Sequence, residues 1–350
     1  MFLDFRLKNK IFHKLLSKFG IFEYPVKNYK YENFIKEYRP KFRTTSCPCG
    51  SKDEINYSFY DRYNQYFPTV LCKNCGLLRS KYSMDSLDET DFYKKYYRKI
   101  LFQKDKIDHE YLQIHEEKKF KKVCEKIKKI INLNNEKVLV IGGGVGGILK
   151  NFKNSKKIFT EYDIDCINFA KKNLKDTQII FGASDEVIKL NIKPKLVIIT
   201  HVIEHWLSLN KEFQNLKKIC TPNETYVFIE TPGIDSSKVG RRRFDFSGDI
   251  FYGHKYYFSS YVLNDYFKVN NFDCIFSNSI AQGLYLYNPS SQKKKFDTNN
   301  YKKILNDLKL ANVKLIFYRL SIFRICKAIL AYIKKIIKFL LINLKRLNNK

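Results

Sequence analysis

Two pairs of cysteines are the first residues in this chain whose types and spacing could do chemistry. Cys47 and Cys49 stand in CPCG at 47–50, and Cys72 and Cys75 in CKNCG at 72–76. A Cys-x-x-Cys-Gly turn aims backbone amides at two thiolates, and two such turns supply the four sulfurs of a tetrahedral zinc. The first pair is one residue shorter than usual and closes on a metal with more strain. Four thiolates leave no open coordination position, so the expected metal is structural. Four unmetallated thiols in a small β segment are the alternative. A segment of about 40 residues buries too little surface to hold itself together without a staple.

The second group is the run KVLVIGGGVGG at 137–147. Val138 to Ile141 are strand-favouring and apolar, and five glycines follow within six positions. This reads as a buried strand, a tight turn and a helix start, the first βα unit of a nucleotide-binding sheet. Glycine lets the chain bend sharply and a ligand approach the backbone. Lys157–Asp163 is the expected second strand, ending in an acid placed to accept both hydroxyls of an adenosine ribose. An adenosine-containing cofactor is therefore expected on 137–163, with a plain glycine turn as the alternative. A third group, Arg241, Arg242 and Arg243, can grip a phosphate or carboxylate bidentately, or is simply a solvated charge run.

The elements that must position these groups alternate regularly. After the second strand come a helix near 164–174, a strand at 178–181, a buried strand at 196–199, a helix near 207–219 and a strand at 225–230. A long aperiodic loop spans 231–249, then a helix near 260–270 and strands near 272–277 and 282–287 complete the sheet. Such alternation means right-handed crossovers and ligand binding at the carboxyl ends of the strands. The expected fold is α/β, a Rossmann-like, seven-stranded, mostly parallel sheet. A small N-terminal zinc-binding segment and a C-terminal amphipathic helical tail flank it. The expected divisions are 1–40, a basic helix near 6–19 followed by an aromatic-rich connection; 41–95, the zinc-binding domain; 96–290, the sheet domain, entered through helical sequence at 85–135; and 291–350, a basic tail.

Apolar residues make up 44% of the 350, enough for a sizeable core, but 65 Lys and Arg against 35 Asp and Glu leave a net charge of +30. Residues 291–350 hold 16 Lys and Arg against two Asp. A basic tail suits an anionic membrane surface or nucleic acid, although a Lys-rich composition makes every solvated face basic. Nine scattered cysteines, with no cleavable leader, point to a reducing compartment rather than a disulfide framework. No apolar run reaches the length of a membrane span. A cytoplasmic protein is expected, peripheral on the membrane if its tail binds lipid.

With those residues in place, positions 45–287 resemble a class I S-adenosylmethionine-dependent methyltransferase with a zinc-binding domain ahead of the catalytic one. Sugar C-methyltransferases share this layout. ITHVIEH at 199–205 and GHKYYFS at 253–259 are similar to the V-x-E-H and H-x-x-x-F-S stretches of that family. The resemblance implies that Gly142, Gly144 and Gly146 line the methionine end of S-adenosylmethionine. It implies that Asp163 holds the ribose, Asp185 flanks the adenine, and Thr200 and His201 lie under the sulfonium. The chain departs from the pattern at Val140, where the family carries an acid that helps to hold the cofactor's amino group. The first strand also resembles that of spermidine synthases, but Val145, Thr200 and His201 stand where an aminopropyltransferase carries acids.

Methyl transfer from a sulfonium is an in-line displacement, so the protein must align the acceptor and, for a hydroxyl or carbon acid, remove a proton. The candidate bases are Glu204, His205 and His254. Glu204 and His205 are adjacent at an expected helix start and should point different ways; capping or packing roles are the alternatives. His254, with Tyr252 and Tyr256 beside it, would line an acceptor pocket or fill the lid. The arginines would suit a nucleotide-linked sugar or phosphorylated glycan, and a carbohydrate or glycolipid acceptor is expected. A zinc-bearing, catalytically silent binding module in a glycan- or lipid-synthesis complex is the different-class alternative. The helix expected over 312–346 combines dense Leu, Ile and Phe with a Lys/Arg stripe, which suits anionic lipid; core packing is the rival, and nucleic acid is disfavoured by too few aromatic platforms.

Overall fold

The computed structural model describes residues 28–63, 65–102, 107–238, 244–291 and 295–319, with isolated positions at 326, 330, 333, 336 and 337. The expected helix near 6–19, Arg241 to Arg243 and most of 312–346 lie outside these residues. The chain enters through α1 (Tyr29–Tyr38), where a connection was expected. Asn28 caps it by accepting from the Tyr31 amide, and Tyr31, Phe34, Ile35 and Tyr38 form one buried face at helical spacing.

The cysteine segment follows as β1 (Arg43–Thr44), β2 (Glu54–Tyr60), β3 (Tyr66–Cys72), β4 (Leu78–Ser80) and β5 (Tyr82–Ser83). Helix α2 (Ser86–Phe92), a π-helical turn (Tyr93–Tyr97) and α3 (Arg98–Phe102) lead to α4 (His109–Ile130), which Asp108 caps.

The sheet domain then runs β6 (Lys137–Ile141), β7 (Lys156–Glu161), α5 (Ile164–Asn173), β8 (Thr177–Phe181), α6 (Ser184–Lys189), β9 (Leu196–Thr200), α7 (Leu209–Ile219) and β10 (Tyr226–Glu230). After α8 (Ile234–Lys238) come β11 (Tyr256–Tyr257), α9 (Ser260–Val269), β12 (Phe272–Asn278), β13 (Gln282–Tyr287) and α10 (Asn299–Arg319). The seven-stranded sheet has the order β12-β13-β10-β9-β6-β7-β8. Its first five strands in the chain pair in parallel, and β13 pairs antiparallel with both β10 and β12. The central strands are covered on both faces, which is why VLVI, LVII and VFI read as unbroken apolar runs.

The cysteine segment is not a separate unit. Strand β11 joins β4, β3 and β2 in a four-stranded sheet, so the loop after β10 is stitched to the cysteine segment. One apolar cluster runs from Cys47, Cys72 and Cys75 through Trp206 and Tyr266 to the strands of the large sheet. Helix α10 also begins inside this body: Ile304, Leu308 and Ala311 are buried on one face, while Leu310, Val313, Ile316 and Phe317 are exposed. The region from 299 to 311 thus packs on the core rather than standing apart with the tail. Among the described residues, no helix is long and apolar enough to cross a membrane.

Candidate active site

The glycine loop follows β6 at the carboxyl edge of the sheet. Gly142, Gly144 and Gly146 all take left-handed backbone angles, with φ of 66°, 55° and 73°, which any side chain would strain. Gly147 is needed for closeness: a Cβ there would collide with the Gln113 carbonyl and the Glu116 side chain. Helix α4 is pinned onto the loop by the Gln113 amide, which donates to the Val145 carbonyl at 2.9 Å.

The acid at the end of the second strand is Glu161, not Asp163. Strand β7 stops at Glu161, whose Oε2 accepts the Gly144 amide at 2.7 Å and whose Oε1 accepts the amides of Tyr162 and Asp163. Asp163 lies two residues on, capping α5 through the Asp165 and Cys166 amides and pairing with Arg98 Nε at 2.5 Å. Its carboxylate is already committed to the helix and the guanidinium. The near edge of the sheet also exposes Tyr162, Ile164 and Phe181, an apolar platform unusual beside a polar loop. Asp185 is exposed near the start of α6 and accepts the Asn215 side-chain amide at 2.7 Å.

Beyond β9, the chain turns through His201 in a left-handed conformation, φ 55°, fixed by its amide donating to the Glu230 carbonyl at 2.8 Å. Thr200, the last residue of β9, is half-buried. The His201 ring lies 3.0 Å from Glu230 Oε1, 2.7 Å from Lys119 Nζ and 3.5 Å from Glu204 Oε1. Burial opposes charge on the ring, but the Glu204 and Glu230 carboxylates more than offset it and raise its pKa to about 9. Glu230 in turn is held at about 2: burial pushes it up, and His201 and Lys119 pull it further down.

Glu204 and His205 do not diverge as expected. They sit on a short 3-10 turn, Ile203–His205, and helix α7 starts only at Leu209 with Ser208 as its cap. The tighter turn brings His205 Nε2 to 3.9 Å from Glu204 Oε1. The buried His254 faces the same spot, and donor atoms of the three residues lie within 4.8 Å of one another. His205 Nδ1 lies 2.5 Å from the Gly253 carbonyl, which can only accept, so this nitrogen carries the proton and Nε2 keeps its lone pair. The Tyr97 phenol donates to that Nε2 at 3.2 Å. His254 Nδ1 likewise donates to the Asp249 carbonyl at 2.9 Å. Burial pushes the pKa of both rings down, keeping them neutral, while Glu204 stays ionised: burial raises it and His201 outweighs that. Glu204 Oε2 accepts from the Thr231 hydroxyl at 3.0 Å, and Oε1 faces the His201 and His205 rings at 3.5 and 3.9 Å. The single lone pair of His205 Nε2 is taken by the Tyr97 phenol, so an acceptor hydroxyl must displace that phenol before His205 can act as a base, and Glu204 beside it then stabilises the protonated ring. The three groups are also possible metal donors, with His205 Nε2 held by the Tyr97 phenol in this structure.

Tyr252 and Tyr256 do not join this site. Tyr252 is sealed among Phe34, Phe42, Phe67 and Phe92, and its phenol is bonded to the buried Glu89. It is a core residue because the four rings around it leave no path to an acceptor. Tyr256 lies in β11 with its phenol 3.4 Å from the Leu207 carbonyl. Sequence reasoning missed Tyr97, Lys119, Glu230 and Glu161. Only Glu161 carried a signal, being an acid within two residues of the expected strand end.

The four cysteines converge. Sγ atoms of Cys47 and Cys49 lie 3.4 Å apart, and Cys47–Cys75 and Cys49–Cys72 each 3.6 Å. Zinc–sulfur bonds of about 2.3 Å set tetrahedral sulfurs about 3.8 Å apart, so the cradle fits zinc with a slight expansion. Gly50 and Gly76 both turn with positive φ, and their amides donate to the Cys47 and Cys72 carbonyls. The Tyr266 phenol lies 3.6 Å from Cys75 Sγ. Hydrogen bonds among the crowded thiols push Cys47 and Cys75 up and Cys49 and Cys72 down, Cys72 to about 6; a cation among them would relieve that conflict.

Residues 115–276 match the family model described as a methyltransferase domain. The matched span runs from within α4 to β12, taking in Glu116, the glycine loop, Glu161, Glu204, His205 and His254 but not the cysteine cluster. No curated protein matches the chain. Similar solved structures include magnesium protoporphyrin IX methyltransferase from Synechocystis PCC 6803 with bound SAH, at 11% identity and TM-score 0.38, over 57% of this chain and 98% of that one. A SAM-dependent methyltransferase from Aquifex aeolicus is similar at 15% identity and TM-score 0.37, over 52% of this chain and 98% of that one.

Proposed function

We propose that this protein transfers a methyl group from S-adenosylmethionine to a carbohydrate or glycolipid intermediate carrying an anionic group. The observation that carries the cofactor half is the left-handed glycine loop with the Glu161 carboxylate beside Gly144, inside a span that matches a methyltransferase domain. In this reading Gly142, Gly144 and Gly146 face the amino-acid end of the cofactor. Glu161, in place of Asp163, accepts the ribose hydroxyls. Tyr162, Ile164 and Phe181 offer the adenine a face, with Asp185 at its edge, and Thr200 and His201 border the sulfonium.

The cofactor, when bound, supplies a methyl group already activated for displacement. The residues of this chain bring the acceptor into line and take its proton. His205 Nε2 is the base once the acceptor hydroxyl takes the place of the Tyr97 phenol on its lone pair: its Nδ1–H is anchored on Gly253, and burial keeps it neutral. Glu204, 3.9 Å away, stabilises the imidazolium that forms. His254 and Tyr97 complete the wall. The side-chain alcohol of Thr231 holds the other Glu204 oxygen in place. The resemblance stated above leans toward sugars, and the arginines at 241–243 would meet a phosphate.

Zinc on Cys47, Cys49, Cys72 and Cys75 would be structural, clamping the segment whose β4 pairs with β11 and so holds the loop bearing His254. Exposed Leu310, Val313, Ile316 and Phe317 on α10, together with the basic residues of 291–350, favour an anionic membrane surface as partner for this end of the chain. A catalytically silent module is the second reading, and Val140 favours it: the position of the missing acid is fully buried in an apolar cluster. Comparing glycans by mass in cells with and without the gene tests the acceptor. Loss of a methyl group from a glycan or glycolipid is expected. An unchanged glycan profile beside a missing methyl on another metabolite class overturns the sugar reading.

A further inference from the structure

We propose that Glu116 on α4 holds the α-amino group of the cofactor, replacing the carboxylate absent at position 140. The inference rests on the S-adenosylmethionine reading above and assigns one residue within it. The cofactor's amino-acid end carries an ammonium, and a site that accepts it needs an anion beside the glycine loop. Val140 cannot serve, being fully buried between the sheet and α4. Among the described residues two carboxylates approach the loop, Glu161 from β7 and Glu116 from α4. Glu161 takes the Gly144 amide. Glu116 Oε2 takes the Gly147 amide at 3.1 Å, and its Oε1 lies 3.4 Å from the point where a Cβ would stand on Gly144. Glu116 is therefore directly over the loop, at the place kept open by the absence of side chains.

Among the described residues the hydrogen bond of Glu116 is made through Oε2, to the Gly147 amide. Arg98 is the nearest guanidinium: its Nη2 lies 3.9 Å from that same Gly144 point and 3.7 Å from Glu161 Oε2, while its Nε is bound to Asp163. Around Glu116 stand Arg98 from α3, Glu161 from β7, Lys119 from its own helix and the Cys166 thiol from α5. Burial lifts the Glu116 carboxyl to about 7, with Glu161 adding to the rise and the Gly147 amide, Arg98 and Lys119 opposing it. A carboxylate held over a ligand loop, with a single amide as its hydrogen-bond donor, gains most from an incoming ammonium. The position of α4 is fixed for this by Gln113, whose bond to Val145 ties the helix to the loop one turn before Glu116.

The test uses the full chain and two probes, S-adenosylhomocysteine and methylthioadenosine, the same nucleoside thioether without the amino-acid end. Glu116→Gln keeps the shape and an oxygen for the Gly147 amide. It should weaken S-adenosylhomocysteine at least about 10-fold, the scale of one charge-assisted hydrogen bond, and leave methylthioadenosine within about twofold. Equal weakening of both probes, or of neither, overturns the assignment. Wild-type protein that binds methylthioadenosine and S-adenosylhomocysteine equally also overturns it, while the cofactor reading survives; binding of neither probe removes both. A second readout is independent of affinity. An ammonium beside a carboxyl of pKa about 7 favours the ionised form, so wild type should release roughly half a proton on binding S-adenosylhomocysteine near neutral pH. Calorimetry in two buffers of different ionisation heat measures this release. Glu116→Gln should abolish it; the same release from the variant overturns the proposal.

Discussion

Replacing Lys255 by Met strands a buried carboxylate, and the cost can be worked from the structure. Lys255 and Glu89 are 4% and 6% exposed, with Nζ 2.5 Å from Oε1. The ammonium also donates to the Tyr252 carbonyl at 3.2 Å and sits 3.5 Å from the centre of the Tyr252 ring. Methionine fills the space of the aliphatic stem, so the cavity left is small. What remains is Glu89 without its counter-ion, its Oε2 already lacking a hydrogen-bond partner among the described residues. Stranding one partner of a buried ion pair costs about 3–5 kcal/mol. At about 2–4 °C per kcal/mol for a domain of 150–250 residues, Tm should fall by roughly 6–20 °C. Adding Glu89→Gln should restore at least about half of that loss, because the stranded charge, not the lost contact, dominates. The lesion also reaches the site: Lys255 donates its amide to the Glu204 carbonyl and follows His254 in the chain. Scanning calorimetry on the two single variants and the double variant completes the cycle. A Lys255→Met loss below about 1 kcal/mol, or a double variant no more stable than Lys255→Met, would refute the reasoning.

With burial holding His205 below its ordinary value, methyl transfer should stay level near neutrality and fall only below about pH 6.5. His205→Ala should lower kcat about 10²–10⁴-fold with S-adenosylhomocysteine binding retained; a rate that ignores this substitution removes His205 as the base. The signs for stability are opposite within this site. His205 and His254 are held below their unfolded pKa, so the unfolded chain takes up protons first and their share of stability is lost as pH falls below about 6.5. His201, raised to about 9, contributes fully below about pH 6.5, and its share is lost as pH climbs through 9; urea titrations across pH should resolve the two limbs. Elemental analysis of protein purified without chelators should give one zinc per chain, and Cys75→Ser should fold poorly; below about 0.2 equivalents the metal reading fails. Full-length protein should co-sediment with anionic vesicles more than with neutral ones, less so at high salt. Residues 312–350 should be removable without loss of the fold, and a truncated chain that unfolds assigns that helix to the core.

The large sheet was legible because its central strands are buried on both faces and must read as unbroken apolar runs between turn residues. The cysteine pairs were legible because two closely spaced pairs, each followed by a glycine turn, stand out in the sequence, and the structure brings the four sulfurs together. Strand ends are less sharply written: the signal around Glu161, Tyr162 and Asp163 spans two acids, and only the capping of α5 separates them. The Tyr31, Phe34, Ile35 and Tyr38 spacing was a helical signal hidden by aromatic composition. Contacts across the chain had no local trace. Glu116 reaches the glycine loop from the preceding helix, Tyr97 reaches His205 from a π-helical turn, and β11 crosses to the cysteine sheet. The convergence of Glu204 with His205 depended on a 3-10 turn where the pattern suggested the first turn of an α-helix.

The central claim is that the glycine loop and Glu161 form a cofactor site, and calorimetry of the full chain with S-adenosylhomocysteine tests it most directly. The account predicts saturable binding at one site per chain, weakened at least about 10-fold by Glu161→Gln, which loses the charge that accepts the ribose hydroxyls. Asp163→Ala should act mainly through helix capping and stability. Wild-type protein that binds none at millimolar ligand, or binding untouched by Glu161→Gln but lost with Asp163→Ala in a folded chain, would contradict it.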